Sequence, residues 1–430
     1  MTERKNFQDF QDFAKRETMK REALSFAKEH INDDPLELLL HKQRYPDVDL
    51  EFAVQQIEGR RTARDKWPSL LEYDDFIYPP RLNREQASSD ETAMHKVSVG
   101  DELCGEESSI TVADLTGGMG IDSIAFAKHS RHATPLHNRV LAHVDYVEQN
   151  EELCTLMEHN RKVLSLENID IHCADSIEWL AAKDHLFDII FIDPARRSSS
   201  GRKVTAFEDC VPNILQHLEL LLSRCRWLLV KASPMMDIDK GVAQLGVVSD
   251  VYVVAVKGEC KELLFLCGGH REEPLIHCRN IIPGDSIYSN TSFTRSQEAH
   301  AEASYCTSVG RYIYEPDASL MKGGPFKLLS YNLGLQKLAR NTHLYTSDNL
   351  QNWMGRIFCV LKEIQLNKRN VAVIPGGRAH VIVRNYPARA EELQRQLGLK
   401  EGGELFVIAT TVGTKKTGFI CCDEKNYEHF

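Results

Sequence analysis

Asp114-Leu-Thr-Gly-Gly-Met-Gly-Ile-Asp122 is the stretch on which the fold turns. The apolar run 110–115 before it predicts a strand, and a helix is expected to start behind it, so the glycines form a tight strand-to-helix turn. Such a turn lets backbone approach a ligand with no Cβ in the way. Gly118-x-Gly120 continues to Ser123, so the third glycine of a dinucleotide fingerprint is missing, and no G-K-[ST] follows as a phosphate loop requires. The acid ending the strand, Asp114, suits a cationic ligand better than a phosphate.

Working outward, further strand-like runs lie at 143–148, 169–173, 187–192, 227–230, 251–256 and 263–267. Helix-length segments, such as 151–164 and 207–222, fill most intervals, which predicts a largely parallel sheet covered on both faces. Only Lys257-Gly-Glu-Cys260 separates the last two runs, too short for a parallel crossover, so they must pair antiparallel.

Upstream, apolar residues recur at helical spacing in Leu36, Leu39, Leu40 and in Phe52, Val54, Ile57, with Asp33-Asp34-Pro35 as a helix start. About five short helices are expected there. Tandem prolines make 76–82 an extended connector, and a further helix opens at 85–93 with Ser88 or Ser89 as cap. Downstream come turns at Pro283-Gly284 and Gly323-Gly324-Pro325 and a helix at 328–338. A last domain begins near Gln351, with strands at 356–360, 371–374, 380–383, 405–409 and 419–422 around a helix at 388–397.

Composition narrows the function. With 42% hydrophobic and 27% charged residues over 430 positions, the chain has ample material for two or three cores. No run reaches the eighteen or so apolar residues of a membrane span, and the segment around Phe7, Phe10 and Phe13 lacks a secretory apolar core, so a cytoplasmic protein without a membrane partner is expected. Twelve cysteines show no C-x-x-C pair and no zinc spacing, so they read as reduced core thiols and no metal is expected. The net charge of −10 gives no overall attraction to nucleic acid. RNA would need local basic patches, and two exist: Arg60-Arg61-x-x-Arg64-x-Lys66, and Arg196-Arg197 with Arg202-Lys203.

Acids end three successive strands. Asp114 is followed by Glu148, with Gln149 beside it, and by Asp175, with Ser176 beside it. Each alone could be a helix cap; beside a glycine turn, the three together point to a ligand with an ammonium and a ribose diol, both of which donate to carboxylates. S-adenosyl-L-methionine has both. The fourth run, Phe187-Asp-Ile-Ile-Phe-Ile-Asp193-Pro194-Ala195-Arg196, carries a carboxylate to the rim where open parallel sheets bind ligands. Lys231-Ala-Ser-Pro234 ends the fifth run and is expected at the same rim.

With these residues the centre of the chain resembles class I S-adenosylmethionine-dependent methyltransferases, particularly those acting on exocyclic amines of RNA bases. Over its full length the chain resembles bacterial methyltransferases of the Bacteroidetes type with a THUMP-like domain. Gln56-Ile-Glu-Gly-Arg60, Glu85-Gln-Ala-Ser-Ser89 with Thr92-Ala93, and Val383-Arg-Asn-Tyr-Pro387 support that likeness. It implies an α/β chain with a Rossmann-like, seven-stranded methyltransferase sheet, a helical amino-terminal region and small α+β carboxyl-terminal domains. The bounds expected are 1–95 helical, 96–272 methyltransferase, 273–348 a ferredoxin-like insert and 349–430 THUMP-like.

The resemblance also implies that the helix over 85–92 packs over the donor, and it implies roles. Asp114, Gly117, Gly118, Met119, Gly120, Asp122, Glu148, Gln149, Asp175 and Ser176 would hold the methyl donor. Amine-methylating relatives carry [D/N]-P-P-[Y/F/W], in which the acid and a proline carbonyl accept from the amino group and the aromatic stacks on the base. Here Asp193, Pro194 and Arg196 would be catalytic, and Arg196 would replace the missing ring by stacking its guanidinium or contacting phosphate. A carbon-methylating enzyme would instead want a nucleophilic cysteine, and the nearest, Cys210, falls in the predicted helix 207–222. The expected substrate is tRNA or rRNA, at guanine N2 or adenine N6. A small-molecule or protein methyltransferase, or a non-catalytic RNA-binding module on the same fold, are the alternatives.

Overall fold

In the computed structural model, which describes residues 19–104, 109–128, 141–196, 207–282 and 289–429, the glycine turn sits at the end of a central strand. The chain divides into two units: one is mostly Met1–Lys231, the other mostly Val248–Phe265 and His270–Phe430.

In the first unit residues 19–29 are helical, and helices α1 (Pro35–Leu40), α2 (Leu50–Lys66), α3 (Arg81–Gln86) and α4 (Asp90–Cys104) follow. Asp34 caps α1 by accepting from the Leu36 amide, and Pro35 occupies the first turn where its missing N–H costs nothing. Ser89 Oγ accepts from the Thr92 amide at the start of α4. Ala23, Phe26, Leu38, Leu50, Val54 and Ile57 form a small core of their own. The connector after α2 is held on both sides: Gln56 exchanges hydrogen bonds with the N–H and C=O of Tyr78, and Asn160 does so with Ile77.

Strands and helices then alternate: β1 (Ser109–Asp114), α5 (Ile121–Lys128), β2 (Leu141–Glu148), α6 (Glu151–Val163), β3 (Ile169–Cys173), α7 (Ser176–Ala181) and β4 (Phe187–Ile192). A small ribbon of β5 (Ala195–Arg196) and β6 (Cys210–Val211) precedes α8 (Ile214–Ser223) and β7 (Cys225–Ala232). The order is β3-β2-β1-β4-β7, with every pairing parallel. Register sets Asp114 opposite Tyr146 on one side and Phe191 on the other, so the carboxyl ends of these strands share one rim. Val112, Val144, Ile190 and Leu228 are fully buried, and each such side chain contributes about 1.5–3 kcal/mol.

In the second unit β8 (Val248–Val256) turns back into β9 (Glu259–Cys267) through Lys257 and Gly258, both at positive φ, the turn a tight hairpin needs. Strands are therefore formed at all seven predicted runs. Beside β8 lie β10 (Leu275–Ile281), parallel to β8, and β11 (Ser289–Phe293), antiparallel to β10. A separate sheet has β12 (Ser304–Tyr305), β13 (Tyr312–Pro316), helices α9 (Ala318–Gly323) and α10 (Phe326–Leu333), β14 (Gln336–Ala339), β15 (Thr342–Ser347), β16 (Gly355–Ile364), β17 (His380–Arg384), α11 (Ala390–Leu397), β18 (Leu405–Val412) and β19 (Lys415–Asp423). Its order, β12-β14-β15-β13-β16-β19-β18-β17, curls until the Gly413 amide beyond β18 reaches the Leu338 carbonyl of β14 at 2.7 Å. Alternate residues of β18 and β19 bury on opposite faces: Val407 and Ile420 with Leu393 of α11, Ile408 and Cys421 with Phe358 and Leu344.

Three sequence expectations fail locally. The helix predicted over 207–222 starts only at Ile214, because Pro212 has no N–H to donate and Asn213 caps the helix; Cys210 thus lies in β6. The helix at 328–338 ends at Leu333, where Gly334 at φ 62 breaks it and lets β14 begin. The strand at 371–374 is instead the end of a helical turn, Lys368–Val371, capped by the Asn367 side chain. The Pro283-Gly284 turn lies outside the described residues. Among the described residues no helix is long and apolar enough to cross a membrane.

Candidate active site

The glycine turn owes its shape to the strand beside it. A Cβ on Gly117 would stand 2.2 Å from the Tyr146 ring, and one on Gly120 would stand 2.5 Å from Met157 Sδ. Gly118 and Gly120 take φ of 54° and 81°, the left-handed region where glycine carries no Cβ penalty. Tyr146 and Glu148 alternate along β2 and both reach the loop: the Tyr146 hydroxyl donates to the Gly118 carbonyl at 2.7 Å, and the Gly118 amide donates to Glu148 Oε2 at 3.0 Å. The Asn150 amide holds the other carboxylate oxygen at 2.9 Å.

A chain of hydrogen bonds runs from this loop to the rim of β4. Ser123 Oγ donates to Asp114 Oδ2 at 2.7 Å, and the Thr116 amide donates to Asp114 Oδ1 at 3.2 Å. Thr116 Oγ1 in turn accepts from the Asp193 amide at 2.7 Å, and Lys231 Nζ donates to Asp193 Oδ2 at 2.6 Å. Asp114 is buried, and its burial, with the nearby carboxylates of Asp122 and Asp193, pushes its carboxyl up to about 7. Asp193 remains about one-third exposed and lines the cavity.

Asp122 is bound from behind. Ser88 Oγ donates to its Oδ2 at 2.8 Å, and the Lys96 ammonium, fully buried, lies 3.1 Å from Oδ1 and over the Phe191 ring. Asp175 caps α7, accepting from the amides of Ile177 and Glu178. The cap reading of this acid is thus observed, and the side chain also lines the cleft.

Gly117, Gly118, Met119, Gly120, Asp122, Glu148, Gln149, Asp175, Ser176 and Asp193 line a single cavity of about 260 Å³, near the lower end of the about 300–1,000 Å³ usual for small-molecule sites. Asp114 stands behind the turn and supports it. Pro194 is buried beneath the rim, while Ala195 lines the cavity, and pairing of β5 with β6 brings Val211 and Pro212 to its edge. Arg196 occupies the register position opposite Cys210. Arg197, Arg202, Lys203 and the insert 129–138 lie outside the described residues.

Some contributors gave little signal in the sequence. Asn83, Gln86 and Ser88 wall the cavity from α3 and the link to α4; Gln86 and Ser88 fall within the segment 85–92 expected to cover it, and Asn83 lies ahead of that segment. Thr116 was hidden inside the motif as an unremarked hydroxyl, and Lys96 is one lysine in a helix with no pattern around it. Three cations of the amino-terminal basic cluster bond to backbone, Arg60 to the Asp74 carbonyl, Arg61 to those of Ile31 and Asp33, and Lys66 to those of Arg84 and Glu85, while Arg64 is exposed. Burial raises the thiols of Cys225 and Cys267 to about 12, which removes them as nucleophiles. Among the described residues no group of three or more His, Cys, Asp or Glu could hold a metal ion.

Two domain families match the second unit: a ferredoxin-like domain over residues 312–353 and a THUMP domain-like family over 355–424. A solved structure from Porphyromonas gingivalis W83, assigned as a methyltransferase, is 30% identical, with 94% of this chain and 98% of that one covered and a TM-score of 0.78. Another, from Listeria monocytogenes and assigned as a class I S-adenosylmethionine-dependent methyltransferase, is 10% identical over 60% of this chain and 93% of its own, with a TM-score of 0.39. Among curated proteins no sequence matches.

Proposed function

The chain belongs to the family of the Porphyromonas protein, class I S-adenosylmethionine-dependent methyltransferases with a THUMP-like carboxyl-terminal domain, and on that premise we propose that it methylates an exocyclic amine of an RNA base, guanine N2 or adenine N6. The pair of Asp193 and Lys231 at the edge of the donor cavity carries this reading.

The residues present fit the donor. Gly117 and Gly120 keep the turn bare where a Cβ would collide with its own supports, so a ligand's methionine portion can lie against backbone. Glu148, fixed by the amides of Gly118 and Asn150, has lone pairs left for a ribose diol. Asp175 and Ser176, which line the same cavity as Gln149, would read the adenine amino group. When bound, S-adenosylmethionine supplies an electrophilic methyl on its sulfonium.

The chain's own part is to position the acceptor. An amine attacks through its lone pair without first losing a proton, so orientation and electrostatics carry much of the rate. Asp193 accepts an N–H of the amine and receives its proton late. Lys231 fixes which carboxylate oxygen is used, and Thr116 fixes the backbone that carries it. Pro194 holds the turn of the rim, its carbonyl the second acceptor, and Arg196 supplies the contact to base or phosphate that an aromatic supplies elsewhere. The THUMP-like match favours RNA, either tRNA or rRNA, over a small acceptor.

The test is transfer from isotopically labelled donor to RNA prepared from a strain lacking this protein, followed by nucleoside mass spectrometry. Labelled N2-methylguanosine or N6-methyladenosine is expected. Label appearing only in a metabolite or peptide refutes the RNA acceptor, and label on carbon or ribose oxygen refutes the amine.

A further inference from the structure

We infer that Arg356 and Arg384, anchored together on Glu315, bind a backbone phosphate of the RNA substrate; this rests on the RNA reading above. Residues 312–430 hold 16 Lys and Arg against 11 Asp and Glu, a net of +5 in a chain whose net charge is −10. The cationic surface that RNA requires is therefore concentrated in this segment.

Glu315 lies on β13 with its side chain only 6% exposed. Arg356, its register partner on β16, donates from Nε to Oε2 at 2.8 Å, and Arg384, at the end of β17, donates from Nε to Oε1 at 2.6 Å. Arg356 is reached only because Gly355 precedes it: a Cβ there would stand 2.0 Å from the Glu315 carbonyl oxygen. One arginine would neutralise the carboxylate. The second is surplus charge, and the two side chains stay 50% and 42% exposed while the acid between them is covered. Such an arrangement orients two planar guanidiniums toward solvent, and the contacts with Glu315 and the Val383 carbonyl use only part of their five N–H donors each.

Both arginines line a cavity of about 1130 Å³ in the second unit, together with Lys322, Asn352 and Asp317. Asp317 Oδ1 is engaged in capping α9 through the amides of Ser319 and Leu320. Counting Glu315 and Asp317 against Arg356, Arg384 and Lys322, the cavity keeps a net positive charge. A phosphodiester, whose single negative charge is shared by two non-bridging oxygens that match forked N–H pairs, is the occupant this chemistry selects.

The probe is the small structured RNA fraction of the deletion strain, with affinity measured by filter binding across a salt series. Arg356→Gln and Arg384→Gln are each expected to weaken binding roughly tenfold and to make the slope of log K against log salt shallower by about 1, leaving donor affinity by calorimetry unchanged. Each single variant leaves Glu315 one arginine, and if Arg384→Gln fails to fold, the more exposed Arg356→Gln carries the test. Lys416→Gln, an exposed cation outside the cavity, is expected to change little. Unaltered affinity and slope in both arginine variants, or an equal loss at Lys416→Gln, overturns the site while the RNA reading stands. A wild-type chain that binds none of this RNA and methylates none of it overturns both.

Discussion

Lys231 Nζ lies 2.6 Å from Asp193 Oδ2, joining the ends of two neighbouring strands, β7 and β4, at the rim of the donor cavity. The lysine side chain is 14% exposed and the acid 34%, so the cation is the better buried partner and the acid the one presented outward. That asymmetry is what a positioning residue behind a reacting group requires. Asp193→Ala is expected to lower kcat at least 100-fold with donor affinity by calorimetry unchanged. Lys231→Met is expected to lower kcat about tenfold without raising KM for donor, with partial recovery in Lys231→Arg. Full-rate transfer by Asp193→Ala would remove the acid from the mechanism.

The strand-to-helix turn and the acids at the strand ends were legible because each depends on local pattern: short apolar runs, glycine, and a carboxylate where a strand stops. The ties between them were not. Gln56 and Asn160 bond to Tyr78 and Ile77 from 22 and 83 residues away in the chain, and nothing in their own neighbourhoods marks them for it. Thr116 was in plain view, yet its link to the amide of Asp193 spans 77 residues. Arg60, Arg61 and Lys66 read as a basic patch because the sequence shows charge and not the carbonyls that use it. The helix predicted across Pro212 failed for a reason that was available, the missing N–H of proline.

The two glycines that begin the turn differ in what a methyl group would meet. At Gly117 it would collide with Tyr146 at 2.2 Å, while at Gly118 the nearest atom is the Thr116 carbonyl oxygen at 3.7 Å and only the φ of 54° resists. Gly117→Ala is expected to cost about 1–3 kcal/mol of stability and to abolish measurable donor binding. Gly118→Ala should cost about 1–2 kcal/mol and retain weakened binding. Denaturant unfolding and calorimetry on both variants check this; the reverse ranking in donor affinity would contradict the close-approach account.

Asp114 makes stability depend on pH. Burial and the neighbouring Asp122 and Asp193 carboxylates raise its carboxyl from 3.8 to about 7 in the fold. Between about pH 4 and pH 7 the folded chain therefore holds a proton that the unfolded chain has released, and this group's contribution to stability falls as pH rises through that window. Asp114→Asn keeps an acceptor for Ser123 Oγ and cannot ionise. The difference in Tm between pH 4.5 and pH 7.5 is expected to shift in the variant toward greater relative stability at the higher pH. An identical profile would show that Asp114 is ionised throughout.

Lys96 poses the sharpest energetic question, because a fully buried ammonium is tolerable only while its partner remains. Its contacts with Asp122 and Ser88 Oγ tie α4 to the helix that the glycine turn launches, so the pair also holds in place Asp122, which lines the cavity. Asp122→Leu alone strands the ammonium and is expected to cost about 3–5 kcal/mol, whereas adding Lys96→Met removes both charges and should recover much of that loss. Denaturant unfolding of the two single variants and the double variant yields the coupling directly. If the double variant is as unstable as the sum of the singles, the two residues act independently, and Asp122 would then be held in place by Ser88 alone.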